Sequence, residues 1–265
     1  MIDNARFGQW PTRIIVTLLY LFLLAPIIIV LLISIDTQST MSFPPRGFSL
    51  QWYGKIWHNE AFMSGFRVSF IVAVGVALLA SLVGVPAAVA LSRYSFPGRA
   101  VLSGFFLSPL LVPAIVLGLA LLLVLDPMKL TGTYQGLIIA HLGITVPYVI
   151  RTTSMSLMTL NQQCEEAART LGASALTTFR KVTLPLVLPG VLAGFVISFI
   201  ISFDEAVISL FVVAGDITTL PVEIFNYVET RTDPQIAALS VVLILMSLAV
   251  VVILERIMGL RKVLK

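Results

Sequence analysis

The chain has 265 residues, of which 58% are hydrophobic and 11% charged, and its mean hydropathy is +1.02. Soluble domains carry about 25% charged residues, so this composition excludes an ordinary soluble protein and is typical of a chain built for a lipid bilayer. The net charge of +4 does not by itself indicate nucleic-acid binding, because Lys and Arg that flank membrane spans account for it.

The chain contains one cysteine, Cys164, so it cannot form an intrachain disulfide. A metal site would need other ligands, and the two histidines, His58 and His141, lie far apart in different segments. We therefore expect no metal site.

Six apolar stretches have, or nearly have, the length of about 20 residues that a helix needs to cross the hydrocarbon core. The fourth is the weakest, because it is short and carries His141, Gly143 and Pro147. Small residues recur in the spans and favour close helix packing. We predict an all-α membrane protein with one transmembrane domain over residues 1–265. Its predicted spans are 14–35, 68–91, 101–125, 133–150, 190–213 and 236–254.

The first predicted span follows Arg6 and Arg13 and resembles the start of a signal peptide. Its apolar run exceeds the roughly 7 to 15 residues of a signal h-region and no cleavage pattern follows, so we predict a retained span. With the N-terminus inside, most of the 17 Lys and Arg residues fall in inside segments. The positive-inside rule therefore predicts that both termini and the long segment 151–189 are cytoplasmic.

On the predicted outer side, Trp52, Tyr53, Ile56 and Trp57 have helical spacing. Because Trp and Tyr favour the membrane interface, we predict a short interfacial helix here. An aromatic anchor is its simplest role.

The segment 151–189 interrupts the apolar chain with charged, helix-forming residues, and we call it the EAA loop after its Glu-Ala-Ala triplet. Asn161 is suited to cap a first short helix, which Gly172 ends. Ser174 is suited to cap a second short helix, which Pro185 ends. The sequence therefore predicts two short helices joined at a glycine.

The first of these helices has a charged start and an apolar face. Glu165 and Glu166 fall in its first turns, where negative charge suits the helix dipole. Ala167, Ala168 and Leu171 share one face by their spacing. Small residues on that face would let the helix dock into a groove on a partner. A connector packed on its own chain is the alternative.

The spacing in this loop resembles the EAA loop of the membrane subunits of bacterial ABC importers. The pattern is Glu-Ala-Ala, three residues, a glycine, nine residues and a Val-x-Leu-Pro ending, with Val182 where the family usually has isoleucine. Six spans with this loop between the fourth and the fifth are also the family's common layout. The resemblance implies the type I ABC importer permease fold with a cytoplasmic coupling helix. The matching positions are Glu166, Ala167, Ala168, Gly172, Leu184 and Pro185.

The resemblance also implies a division of labour. In the family this loop sits in a cleft of the ATP-hydrolysing subunit and transmits its closure to the spans. Glu166, with Glu165 beside it, would be the charged contact, and Gly172 the turn that sets the angle of the helix. The chain has no GxxxxGK[ST] phosphate loop, in agreement with ATP and Mg bound by a separate ATPase and no cofactor in this chain.

The partners that the resemblance implies are an ATP-binding subunit dimer, a second, paralogous permease subunit and a periplasmic or extracellular solute-binding protein. The location that it implies is the bacterial cytoplasmic (inner) membrane.

A second charged feature lies near the middle of the fifth predicted span, where Asp204 and Glu205 are adjacent. A charge at the centre of a bilayer costs about 2.5 to 3.5 kcal/mol, and such residues usually line a pathway. Neighbours on a helix point about 100° apart, so at most one of them points straight into a path. A pair satisfied by a neighbouring helix is the alternative. The residues predicted for the substrate path are Ser202, Phe203, Asp204 and Glu205.

This stretch also resembles the polyamine branch of the ABC importer family, which imports spermidine and putrescine, and the chain resembles its C-type permease paralogue. The branch carries an acidic pair here, and the similarity extends through ISLFVVAGDITTLPVEIFNYVETRTDPQIAALS and FSLQWY. A carboxylate in the path suits a cationic solute. The sequence Phe203-Asp204-Glu205 departs from the two aspartates of well-known members, so an amino-acid derivative, an opine or iron is the alternative solute.

Two other classes of protein fit less well. A proton-driven secondary transporter acting through Asp204 would need internal symmetry and a second intramembrane partner, and the sequence shows neither. A membrane enzyme would need a His or Ser constellation within the spans, which we do not find. We therefore expect a transport subunit rather than an enzyme.

Overall fold

The computed structural model describes residues 9–258, and this part of the chain is helical without a β-strand. The predicted all-α class is confirmed. The chain also contains a 3-10 turn, Ser108–Leu111, and a π-helical turn, Phe179–Thr183. The helices are α1 (Gln9–Ser34), α2 (Gln51–Trp57), α3 (Glu60–Arg93), α4 (Arg99–Leu107), α5 (Ala114–Leu125), α6 (Tyr134–Thr159), α7 (Gln163–Thr170), α8 (Ala175–Thr178), α9 (Leu184–Asp204), α10 (Val207–Val212), α11 (Leu220–Thr230) and α12 (Gln235–Met258).

Five helical runs within residues 9–258 are long and apolar enough to cross a membrane, and a bent pair of helices adds up to one more. Four of these runs overlap the first, second, fourth and sixth predicted spans. The remaining run, Ala175–Asp204, contains the π-helical turn and overlaps the fifth predicted span from its start at residue 190 to Asp204. The runs are Thr12–Ser34, Glu60–Arg93, Tyr134–Thr159, Ala175–Asp204 and Gln235–Ile253.

The third predicted span, 101–125, is not one helix. It is divided between α4 with its 3-10 turn and α5, which meet at an angle of 107°. Val112 is extended, with φ −90° and ψ 132°, and Pro113 follows it. A residue before proline is disfavoured in the helical region and proline has no N–H to donate, so the helix stops and restarts in a new direction.

The fifth predicted span, 190–213, is also divided. The helix α9 begins earlier, at Leu184, and ends at Asp204, after which Glu205 is extended and α10 restarts at Val207. The reason is local competition for the backbone. The Glu205 carboxylate takes the Ile208 N–H and the Ser209 hydroxyl takes the Glu205 carbonyl, whereas a continuous helix would have paired these groups with the Asp204 carbonyl and the Ser209 N–H. We call this interruption, residues 205 and 206, the helix break.

The EAA loop is more helical than predicted. α6 continues past the predicted span end at Ile150 to Thr159. The prediction that Pro185 ends the second short helix is wrong, because Pro185 lies in the first turn of α9. A proline is tolerated there because the first turn of a helix needs no N–H donor, and the π-helical turn carries the chain into α9 without a stop.

The chain divides into two compact units. The first comprises Met1–Met63 and Asn226–Val252. In it, the predicted interfacial helix forms as α2, and the indole N–H of Trp52 donates to the carbonyl of Asp36 at 2.7 Å. The buried carboxylate of Asp36 accepts bonds from the following loop, so α2 is fastened to the end of α1. Its donors are the Gln38 N–H, the Arg46 N–H and the Ser42 hydroxyl, each at 3.2 Å.

The second unit comprises Ser64–Phe225 and Ile253–Lys265, and its core is formed by α3, α6 and α9. Small residues let these helices approach closely: a Cβ on Gly194 of α9 would lie 2.5 Å from the Thr152 Oγ1 and 3.0 Å from the Val149 Cα of α6. This contact sets the position of α9, which carries the path residues. The buried residues of this core are Ala80, Val85, Ala88, Leu91, Val146, Val149, Ile150, Leu157 and Val187.

Candidate functional site

The EAA loop reverses and restarts where its sequence predicts, but the N-cap of its first helix is Gln162, without a side-chain bond, and not the predicted Asn161. The side-chain oxygen of Asn161 accepts from the Gln163 N–H at 3.0 Å at the start of α7. The loop reverses at Gly172, whose φ is +86°, and its N–H donates to the Arg169 carbonyl. The hydroxyl of Ser174 accepts from the N–H of Thr177 at the start of α8. Gly172 is therefore a glycine that ends a helix in the left-handed region.

Glu165 faces into the protein. It is 8% exposed, and one of its carboxylate oxygens lies 3.1 Å from the Arg93 Nε at the end of α3. Its other oxygen accepts from the Thr183 hydroxyl at 2.7 Å, at the last residue of the π-helical turn. A charged hydrogen bond of this kind is stronger than a neutral one. Glu165 thus fastens α7 to the end of α3 and to the base of α9.

Glu166, in contrast, is exposed, as is Ala167 beside it, whereas Ala168 is half-buried. Leu171 is 89% exposed and Leu176 on α8 is 57% exposed. An exposed negative charge and two large exposed leucines within one short loop are unusual for a segment that only connects two spans, and this composition is typical of a docking surface. We call Glu166, Ala167, Leu171 and Leu176 the docking face.

Leu184 and Pro185, the last matching positions of the motif, lie at the start of α9. Leu184 is half-buried and Pro185 is exposed. They belong to the root of the span and not to the docking face, although they lie directly after Thr183, which bonds to Glu165.

The two acidic residues of the fifth predicted span have different surroundings. Asp204 is the last residue of α9, and its side chain is exposed without a bonding partner among residues 9–258. Glu205 is half-buried, and its carboxylate accepts from the Ile208 N–H at 2.9 Å, which caps α10. Asp204 is therefore available to a ligand, whereas Glu205 builds the helix break.

The other two predicted path residues are packed inside the second unit. Ser202 is 2% exposed and its hydroxyl bonds to His141. Phe203 is 8% exposed and its ring contacts the rings of Phe66 and Phe199, with centroids 5.7 and 5.9 Å apart. Successive helical residues point in different directions, so these side chains do not share the exposed surface of Asp204. Ser202 and Phe203 are therefore buried within this chain, and their assignment to the substrate path stays a prediction.

Two residues of these sites were not predicted. Arg93 is the partner of Glu165, and His141, on α6, bonds to serines on both sides of the helix break. The sequence held one signal for each of them: a single basic residue at the end of an apolar span, and a histidine within one. Among residues 9–258, no group of three or more His, Cys, Asp or Glu side chains is placed to hold a metal ion.

Known proteins resemble this chain over most of its length. Residues 80–260 match the family model of the binding-protein-dependent transport system inner membrane component. The chain is 35% identical to the spermidine/putrescine transport system permease protein PotC of Haemophilus influenzae over 234 residues, 88% of this chain and 91% of that protein. It is 32% identical to the putrescine transport system permease protein PotI of Escherichia coli over 251 residues, 92% of this chain and 89% of that protein.

A solved structure extends the likeness to the fold. A chain of a bacterial ABC transporter involved in the import of the acidic polysaccharide alginate is similar with a TM-score of 0.74, covering 97% of this chain and 98% of that one. At 19% identity this likeness bears on the fold alone. It confirms the predicted fold.

Proposed function

Because this chain belongs to the family of binding-protein-dependent transport system inner membrane components, we propose that it forms the membrane path for a polyamine such as spermidine or putrescine in an ATP-driven importer. As a member of this family it is a multi-pass inner membrane protein and a transport subunit, not an enzyme. It works with an ATP-binding subunit and a solute-binding protein. We propose that a second, paralogous permease subunit completes the path.

The observation that carries the proposal is the exposed carboxylate of Asp204 at the C-terminal end of α9. The last carbonyl groups of a helix bear partial negative charge, so a carboxylate placed there is poorly stabilised by its own helix. A cation bound at this point is attracted both by the carboxylate of Asp204 and by the partial negative charge of the last carbonyl groups of α9. Transporters place broken helices of this kind at the sites where ions and substrates bind.

The relatives support a polyamine as the cation. Two of them, at 35% and 32% identity over about nine-tenths of this chain, are permease proteins for spermidine and putrescine or for putrescine. Polyamines carry several ammonium groups, which suit a carboxylate along the path. Asp204 is the residue that we assign to contact an ammonium group of the solute.

We propose that the docking face contacts the ATP-binding subunit, which binds ATP and Mg in place of this chain. Glu166 supplies a charge, and Leu171 and Leu176 supply exposed apolar surface. Glu165 connects this surface to α3 and α9 through Arg93 and Thr183, so closure of the ATP-binding subunits would move the helix that carries Asp204. This geometry supports coupling through the EAA loop.

The proposed orientation follows from charge. Most of the 17 Lys and Arg residues lie in the segments on the side of the EAA loop and the termini, which the positive-inside rule assigns to the cytoplasm. The EAA loop must lie there to meet an ATP-binding subunit. Attachment of a membrane-impermeant thiol reagent to the native, exposed Cys164 in that loop tests the orientation: labelling in inverted vesicles and not in intact cells is expected, and the reverse would overturn it.

ATP hydrolysis by the reconstituted complex tests the proposed function. The complex contains this chain, the second permease, the ATP-binding subunits and the binding protein. We expect spermidine and putrescine to stimulate hydrolysis, and a neutral sugar and a dicarboxylate to leave it at the basal rate. Stimulation by the neutral or anionic solute alone would overturn the cationic path. A preparation with no ATP-binding subunit would overturn the proposed coupling.

A further inference from the structure

A buried histidine spans the helix break from behind. His141 on α6 is fully buried, and its Nδ1 lies 2.8 Å from the hydroxyl of Ser202 in the last turn of α9. Its Nε2 lies 3.1 Å from the hydroxyl of Ser209 in the first turn of α10. Burial of a polar ring is unfavourable unless both nitrogens are paired, and here both are. One imidazole therefore connects the two helices that the break separates.

The direction of each hydrogen bond follows from the next one. The hydroxyl of Ser209 donates its proton to the carbonyl of Glu205 at 2.7 Å, so it accepts from His141. The Nε2 of His141 consequently carries the proton, and its Nδ1 accepts from the Ser202 hydroxyl. The result is one ordered chain of donors from Ser202 through the neutral imidazole and Ser209 to Glu205. The tautomer is assigned from this network.

The helix break depends on that chain. Interrupting a helix at membrane depth leaves backbone groups that neither lipid nor the helix can pair. The carboxylate of Glu205 satisfies the N–H of Ile208, and the hydroxyl of Ser209 satisfies the carbonyl of Glu205. His141 holds the second of these groups in place. Without it, the hydroxyl of Ser209 can turn away, and a continuous helix through residues 205 and 206 competes with the break.

We propose that His141 is a positioning residue for transport, which keeps α9 ended at Asp204 and so presents that carboxylate to the solute. The inference rests on the proposed function, since it concerns how the same site is built. His141 itself does not touch the solute: it is fully buried, whereas Asp204 is exposed. Its effect passes through the shape of the break and therefore depends on the presence of the Asp204 carboxylate.

A pair of substitutions of similar size tests the hydrogen bonds. Leucine at position 141 fills the site without polar atoms, whereas glutamine offers one acceptor and one donor in a plane and can replace both bonds. Polyamine uptake is measured in the reconstituted complex and expressed per copurified ATP-binding subunit. We expect His141→Leu to raise the KM for uptake at least tenfold, and His141→Gln to stay within threefold of the wild type. Equal KM values for all three would overturn the inference, as would equal losses in both variants.

A double-mutant cycle tests whether His141 acts through Asp204. In the Asp204→Asn background, we expect His141→Leu to change the remaining uptake less than twofold, because the carboxylate that it positions is absent. A loss of tenfold or more in that background would assign His141 an independent structural role and overturn the inference. If polyamines fail to stimulate the wild-type complex, the proposed function fails before this inference is tested, so the two failures are distinguishable.

Smaller deletions keep the test possible if leucine at position 141 prevents assembly. Ser209→Ala removes only the last donor of the chain, and Ser198→Ala removes a buried hydroxyl of α9 that bonds instead to the Thr145 carbonyl at 3.4 Å. We expect Ser209→Ala to raise the KM for uptake at least threefold and Ser198→Ala to change it less than twofold. The same KM in both variants would overturn the inference.

Discussion

The chain has two pairs of adjacent carboxylates, Glu165 with Glu166 and Asp204 with Glu205. Each pair has one structural and one exposed member, but their order along the chain is opposite in the two pairs. In the EAA loop the first member is buried against Arg93 and the second is exposed. At the helix break the second member caps α10 and the first is exposed. In each pair one carboxylate therefore builds the local structure and its neighbour is left for a partner or a solute.

In each pair, the hydrogen-bond donors around a carboxylate decide which member is structural, and its place in the pair does not. Glu165 meets a guanidinium and a hydroxyl, and Glu205 meets a backbone N–H at the start of a helix. These donors compensate the removal of each carboxylate charge from water, which would otherwise be unfavourable. An exposed carboxylate directly beside such an anchor is held at a defined position, which is what a docking or transport site requires.

The largest expected effect separates the members of the pair at the helix break. Asp204→Asn removes the charge that we assign to the solute, worth about 2 kcal/mol for a charged hydrogen bond, so uptake should fall about 30-fold. Glu205→Gln is the matched control: an amide oxygen can still accept from the Ile208 N–H, and we expect less than a threefold loss. Uptake of labelled spermidine by proteoliposomes measures both. Equal losses would show that the two carboxylates do not have separate roles.

A charge exchange tests the ion pair between Glu165 and Arg93. Glu165→Arg places a second cation beside Arg93, where burial makes the repulsion severe, and should lower uptake at least about tenfold. Arg93→Glu combined with Glu165→Arg restores opposite charges and should recover part of the activity, without the bond from Thr183. Uptake per assembled complex is the readout. A double variant no better than the single one would contradict a role for the ion pair.

Glu166 should behave in the opposite manner, because it is exposed. Glu166→Lys leaves the fold of this chain unchanged, since surface charges contribute little to stability. We expect it to reduce the copurified ATP-binding subunit, or the uptake that this subunit drives, by about tenfold, and Glu166→Gln to have a smaller effect. Melting of the isolated chain in detergent serves as the control. Normal assembly and normal uptake with lysine would refute the docking face.

The smallest effect concerns the turn between α7 and α8. Gly172 has φ +86° and no atom lies within 4 Å of an added Cβ, so Gly172→Ala costs only the left-handed backbone, about 1 kcal/mol. Gly98, with φ +87° and equally open space, gives a matched control outside the EAA loop. We expect Gly172→Ala to lower coupled ATP hydrolysis about fivefold and Gly98→Ala to leave it nearly unchanged. The same change in both would deny the turn a specific role in coupling.

Much of the fold could be predicted because its signals are local in the sequence. Apolar length locates the spans, Asn161 and Ser174 mark helix starts, and Gly172 marks a turn. The bend before Pro113 also had a local signal, but a continuous span was predicted because the apolar run on both sides is uninterrupted. Length and composition do not report the direction of a helix.

The site could be predicted only in part, because burial is decided by partners that are distant in sequence. Nothing beside Glu165 indicates that Arg93 will neutralise it. In the sequence, His141 is a polar residue of the weakest span and a candidate metal ligand, whereas its partners in the structure are two serines brought close by the packing of α6 against α9 and α10. The resemblance to a family marked the right segments, and the distribution of roles within each pair required the structure.

A structure of the complete complex captured during transport with spermidine bound is the strongest test of the role assigned to Asp204. We expect an ammonium nitrogen within hydrogen-bonding distance of the Asp204 carboxylate, while Glu205 still accepts from the Ile208 N–H and caps α10. Asp204 paired with a side chain of the second permease, with the spermidine held elsewhere, would show that Asp204 does not bind the solute.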